Sequence, residues 1–159
     1  MLKFVSLLGT GRYIPCNYYL EDKNNISKQM LLIFSHELTD KQRKEAMERF
    51  GISKFVALDD ALLDKWADVP PHLENLSDYL SDIIAWIDKN GQPGDYALVQ
   101  GDYGATMFIV DFCISKDITP VYATTKRKVI EEKIGETVKL LREFEHVMFR
   151  EYRKMTTGV

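Results

Sequence analysis

Four short stretches of this chain carry residue types that could do chemistry on an anion. Gly9-Thr10-Gly11-Arg12-Tyr13 places two glycines around a hydroxyl, then a guanidinium and a phenol. Gln100-Gly101-Asp102-Tyr103-Gly104-Ala105-Thr106 offers two glycines for a tight turn, followed by a helix start whose free N–H groups and partial positive charge suit a phosphate. Thr124-Thr125-Lys126-Arg127 adds two hydroxyls and two cations, and with the preceding stretch it reads as an anion cradle. Ser35-His36-Glu37 contributes an imidazole.

Taken singly, each stretch also fits a plainer role. GTGRYI departs from the dinucleotide-binding fingerprint, because Ile14 stands where the third glycine belongs and Pro15 blocks the expected helix. QGDYGAT fits an ordinary strand-to-helix turn with Asp102 as N-cap, and Lys126 and Arg127 fit a solvated surface. His36 fits a residue packed beside the next helix. The functional reading gains from position, since all four stretches fall at the ends of expected strands, where an open α/β sheet gathers its ligands.

Other chemistries find little support. His36, His72 and His146 are the only histidines, and they match neither HExxH nor another metal signature. Cys16 and Cys113 form no CxxC pair, so no metal, cofactor or disulfide is expected and both thiols are expected to be reduced. The balance of 21 Lys+Arg against 24 Asp+Glu, net −3, argues against tracking duplex nucleic acid. The longest wholly apolar run, Met30–Phe34, is far short of the ~20 residues that span a bilayer, so no membrane partner and a cytoplasmic location are expected.

A length of 159 residues corresponds to one domain, 1–159. Lys3–Leu8 reads as a short buried strand, Tyr18–Glu21 as a second, Asp22–Asn25 as a turn and Gln29–Ser35 as a strong inner strand. Thr39 opens a helix with Gln42 at the capping-box position, and Gly51 stops it. A strand over Lys54–Leu58 follows, then a short helix capped by Asp59 or Asp60 and running to Trp66. Pro70-Pro71 precedes a longer helix from about His72 to Lys89. Tyr96–Gln100, the loop Gly101–Tyr103, a helix over Gly104–Ser115 and a returning strand Thr119–Ala123 make a βαβ unit. The expected fold is therefore α/β, a Rossmann-like open and mostly parallel sheet flanked by helices. After Lys128, the spacing of Val138, Leu141, Phe144, Val147, Met148 and Tyr152 fits a helix, while alternation over Phe144–Phe149 and Gly135 allow a β-hairpin.

The stretches LLGTGRYIPCNYYL (7–20), FSHELTDKQ (34–42), LLDKWADVPP (62–71), VQGDYGAT (99–106) and VYATTKR (121–127) together resemble the CRISPR-associated Rossmann-fold (CARF) proteins of type III CRISPR systems, in particular their small single-domain, ring-nuclease-like branch. The resemblance covers most of the chain. It implies a C-terminal β-hairpin and a homodimer whose ligand loops meet around a two-fold axis, with a cyclic oligoadenylate messenger lying across both copies. It further implies either removal of that messenger or its binding as a regulator, since no effector nuclease motif is present. Cleavage by the ribose 2′-OH needs alignment and charge stabilisation rather than a metal. Arg12 and Lys126 are the expected charge stabilisers, with N–H groups near Gly104–Thr106 assisting, and His36 and Asp102 are the candidate bases.

Overall fold

The computed structural model describes residues 27–134 and 137–153, with backbone alone over 130–142. The expected strands Lys3–Leu8 and Tyr18–Glu21, the turn Asp22–Asn25 and the loop Gly9–Tyr13 lie outside the described residues.

One five-stranded sheet carries the fold, in the order β2-β1-β3-β4-β5. Its strands are β1 (Lys28–Phe34), β2 (Ile52–Ala57), β3 (Tyr96–Gln100), β4 (Thr119–Ile134) and β5 (Thr137–Glu151). β1 pairs in parallel with β2 and β3, and β3 in parallel with β4, while β4 and β5 are antiparallel. The unbroken apolar run of β1 follows from its inner position. Leu31 and Ile33 enter one core with α2 (Asp60–Ala67), α3 (Ser81–Asn90) and α4 (Tyr103–Ser115). Met30 and Leu32 enter a second core on the opposite face, beneath α1 (Asp40–Phe50). β3 alternates in the same way, with Ala97 and Val99 on one side and Leu98 on the other. Each of the larger side chains among these, fully buried, contributes about 1.5–3 kcal/mol.

The connections place a topological switch between β1 and β3. From β1 the chain crosses through α1 to β2 on one side, and then returns through α2 and α3 to β3 on the other. The carboxyl ends of parallel strands diverging at such a point leave a crevice for ligands. At the amino end the buried polar group serves structure: Asp95 accepts hydrogen bonds from the backbone and side-chain amides of Gln29 and from the backbone of Gln92.

Local rules set most boundaries. Thr39 and Gln42 form the expected capping box of α1, and Gly51, at φ 70°, ends the helix in the left-handed region. Asp59 caps α2 through the backbone N–H of Leu62. The long helix expected from His72 begins only at Ser81. In the intervening turns the Asn75 side chain accepts the backbone N–H of Ser77, a local bond that competes with helix, and the Tyr79 hydroxyl donates to the Lys65 carbonyl.

The returning strand is much longer than the expected Thr119–Ala123. It continues to Ile134 and pairs with β5 in one long hairpin, so the tail is a ribbon and not a helix. Thr124–Arg127, expected as a segment at a strand end, is therefore strand throughout. The helical spacing of the tail marks no buried face, since Phe144, Val147 and Met148 are exposed, and a bulge at Thr124/Thr125 sets which residues turn inward. With Val147 as the extra residue, both His146 and Phe149 turn toward α1, three positions apart on one strand.

Candidate functional site

Register brings three of the four stretches to the carboxyl edge of the sheet. Phe34 stands opposite Gln100, so Ser35-His36-Glu37 leaves β1 beside the Gly101-Asp102 turn that leaves β3. Gln100 ties this turn to its other neighbour: its side-chain oxygen accepts the backbone N–H of Ala123, from which β4 runs on past the edge. Thr124–Arg127 thus rises beside the turn, carried on a strand stiffened by β5.

The turn is held from below by Trp66. Its indole N–H donates to the Gln100 carbonyl at 3.2 Å, and a Cβ added to Gly101 would meet the indole at 2.8 Å. Only glycine fits there without displacing the ring. Asp102 caps α4, its carboxylate accepting the Ala105 N–H at 3.0 Å, while its carbonyl accepts that of Thr106. The donors at this helix start are thus narrower than expected: Ala105 and Thr106 are committed, and their side chains are buried. The N–H groups of Tyr103 and Gly104 remain uncommitted among the described residues. Tyr103 is almost fully exposed, at 90%. The buried Thr106 hydroxyl has no hydrogen-bond partner among the described residues.

On β4, Thr124 spends its hydroxyl on both backbone groups of Met148 and so braces the bulge. Thr125, Lys126 and Arg127 are exposed. Lys126 stands opposite Glu145, whose carboxyl is held below its ordinary range by hydrogen bonds from Lys128 and then Lys41. Arg127 lies 5.3 Å over the Phe144 ring.

His36 is exposed, its ring edge-on to Phe34 at 5.3 Å. It lines a cavity of about 360 Å³ with Ser35, Glu37 and Arg43 above apolar Phe34, Leu58 and Leu63. His72 is exposed, whereas His146 is buried against Glu45. Cys113 lies in the core, where burial pushes its thiol up to about 12, which leaves it inert as a nucleophile at neutral pH. Among the described residues no group of three or more His, Cys, Asp or Glu could hold a metal ion, and no helix is long and apolar enough to cross a membrane.

A profile described as "Uncharacterized protein MJ1673 family" matches residues 28–150. The chain belongs to this family. "Uncharacterized protein MJ1673" of Methanocaldococcus jannaschii is 37% identical over 124 residues, a stretch covering 78% of this chain and 96% of that protein. No solved structure matches. The MJ1673 family match takes in β1 to β4 and nearly all of β5, and with them the Ser35–Glu37, Gln100–Thr106 and Thr124–Arg127 stretches. Gly9, Thr10, Gly11, Arg12 and Tyr13 precede the matched residues and lie outside the described ones.

Two elements of the edge escaped sequence reasoning. Trp66, at the end of a short helix, gives no sign in the sequence that it lies beneath Gly101, because the two meet only through packing. Arg43 carried no signal, because it is one of several charged residues of α1 and meets His36 only in lining the same cavity.

Proposed function

We propose that this protein is a ring nuclease, binding a cyclic oligoadenylate, with cyclic tetra-adenylate the expected ring, and opening it without a metal to switch off type III CRISPR antiviral signalling. The observation that carries this reading is the shared edge: an uncommitted helix start at Tyr103-Gly104 and the His36 cavity lie at the carboxyl ends of the neighbouring strands β3 and β1, and the exposed cations Lys126 and Arg127 stand on the stretch of β4 that runs on past that edge. Such a site offers phosphates backbone donors and positive charge, and offers bases an apolar recess.

In the proposed reaction a ribose 2′-oxygen bonds to the adjacent phosphorus as the bond to the 5′-oxygen breaks. The 2′-hydroxyl proton leaves to a base or water, and the departing 5′-oxygen takes up a proton. The product is a linear oligomer ending in a 2′,3′-cyclic phosphate. Lys126 stabilises the charge gained by the phosphorane oxygens, and the Tyr103 and Gly104 N–H groups assist. His36 suits the role of base better than Asp102, whose carboxylate is engaged in capping α4. Arg12 keeps its expected role as a second charge stabiliser on the strength of the resemblance alone. A homodimer completes the site, because one edge offers too little concave surface to enclose a ring.

A second reading, a non-catalytic messenger-binding regulator acting through a partner protein, draws on the same commitment of Asp102: a site without a positioned base can bind and not turn over. Incubation with labelled cyclic tetra-adenylate separates them, since linear product supports the nuclease and tight binding of an unchanged ring supports the regulator.

A further inference from the structure

Three cations follow one another on β4, and the ribbon treats each differently. Arg127 lies over the Phe144 ring, and Lys128 pairs with Glu145, its Nζ 2.6 Å from Oε2. Lys126 alone of the three has neither an ion pair nor a ring contact among the described residues. The register makes this unexpected. Lys126 stands directly opposite Glu145 and Lys128 opposite Glu143, and alternation sets all four on one face of the ribbon. Two direct cross-strand pairs are the plain outcome, yet Lys128 reaches past Glu143 on the diagonal to Glu145.

A further cation takes the remaining oxygen. Lys41, in the first turn of α1, lies 3.3 Å from Glu145 Oε1. The helix sets its place: Glu45, one turn on, is bonded to the Phe149 backbone, so the same face of α1 brings Lys41 to β5.

We infer that Lys41 and Lys128 are positioning residues, which occupy Glu145 and so leave the Lys126 ammonium free for a phosphate. Were Glu145 to pair with Lys126 instead, it would offset that cation and repel the approaching anion. Held by two other lysines, it leaves the third unneutralised, and Glu143 is the other acid on this face. These pairs are exposed, individually weak and screened by salt, so the device decides which lysine is free and adds little stability. Its functional meaning rests on the proposed role of Lys126 at the scissile phosphate.

Zero-length carbodiimide coupling at low ionic strength and without ligand, located by peptide fragmentation, reports which lysine touches Glu145. The native chain is expected to couple Glu145 to Lys128 and Lys41. In Lys41→Gln/Lys128→Gln, with an unchanged circular dichroism melt, coupling to Lys126 should rise about two- to five-fold, the scale of one cross-strand charge pair. Should that chain fail to fold, Lys128→Gln alone gives the same readout. On cyclic tetra-adenylate the two substitutions should slow cleavage by a similar factor, Glu145→Gln should restore the rate, and in Lys126→Ala they should slow it no further. The inference is overturned if native Lys126 couples to Glu145 as readily as Lys128 does, if its coupling does not rise in the variant, or if an active chain is not slowed or is slowed equally without Lys126. Because coupling needs no ligand, a shift to Lys126 upholds the arrangement even if the ring is never cleaved, and the nuclease reading then fails by itself.

Discussion

Glu45 of α1 grips the outer edge of the sheet at Phe149: its two carboxylate oxygens lie 3.0 and 3.1 Å from the Phe149 backbone nitrogen. Arg49, one turn later, pairs with Glu45 at 2.9 Å and donates to the Phe149 carbonyl at 2.7 Å. Both outward-facing backbone groups of Phe149 are thus satisfied by one helix, which shields an edge strand from pairing with another chain. His146 completes the cluster, its Nε2 2.6 Å from Glu45 and its Nδ1 buried with no hydrogen-bond partner among the described residues.

This relationship predicts acid sensitivity. Burial acts to raise the Glu45 carboxyl, but hydrogen bonds from Phe149, His146 and Arg49 outweigh it and hold the group below 4.5. A carboxylate depressed on folding contributes stability that is present above its unfolded value and lost as pH falls through the folded one. Glu45→Gln should therefore cost about 1.5–3 kcal/mol at pH 7, the scale of hydrogen bonds to a charged group. The gap to the native chain should narrow as the pH falls through the lowered folded-state value of Glu45. Urea melts at pH 3 and pH 7 check this, and an equal gap at both would show that the charge of Glu45 is not what stabilises the edge.

Gly101→Ala should disturb the site from beneath. The added methyl meets the Trp66 indole at 2.8 Å, so the ring must move and release the Gln100 carbonyl. Overpacking of this kind costs about 1–3 kcal/mol. Trp66 fluorescence should shift, with Trp66→Phe in the Gly101→Ala background recovering part of the loss. Native stability and emission in Gly101→Ala would contradict the close approach.

Asp102→Ala removes the side-chain cap of α4, at a cost of about 1 kcal/mol, while Asp102→Asn should recover most of it. The same pair separates capping from catalysis. If Asp102 only caps, Asn restores both stability and single-turnover rate; if it is the base, Asn restores stability alone.

Lys126→Ala should lower the single-turnover rate by roughly 10²-fold or more with a much smaller loss of ring binding, the pattern of an interaction made in the transition state. Arg127→Ala provides the comparison. A native rate in Lys126→Ala would mark the residue as a solvated strand lysine.

The parts of the fold legible in the sequence are those governed by local rules. The α1 capping box, the Asp59 and Asp102 caps and the inner runs of β1 and β3 follow from a few residues each. The β4–β5 ribbon stays open between helix and hairpin on the residues alone, because Phe144, Val147 and Met148 keep helical spacing and yet are exposed; the hairpin follows from the resemblance, and the strands bear it out. Site residues divide the same way. Gly101 and Asp102 announce a turn and a cap, whereas the Trp66 floor and the reach of Arg43 into the His36 cavity depend on how elements pack. The placement of Lys126 on a strand, not after one, changes its support and leaves it beside the Gly101 turn.

The most direct measurement is chromatography with mass spectrometry of cyclic tetra-adenylate incubated with excess protein and chelator. Attack by a 2′-hydroxyl adds no water, so the account predicts, as the first product, a linear species of unchanged mass bearing a 2′,3′-cyclic phosphate. An intact ring after prolonged incubation, a product heavier by one water from the first time point, or turnover that appears only on adding magnesium or manganese would contradict it.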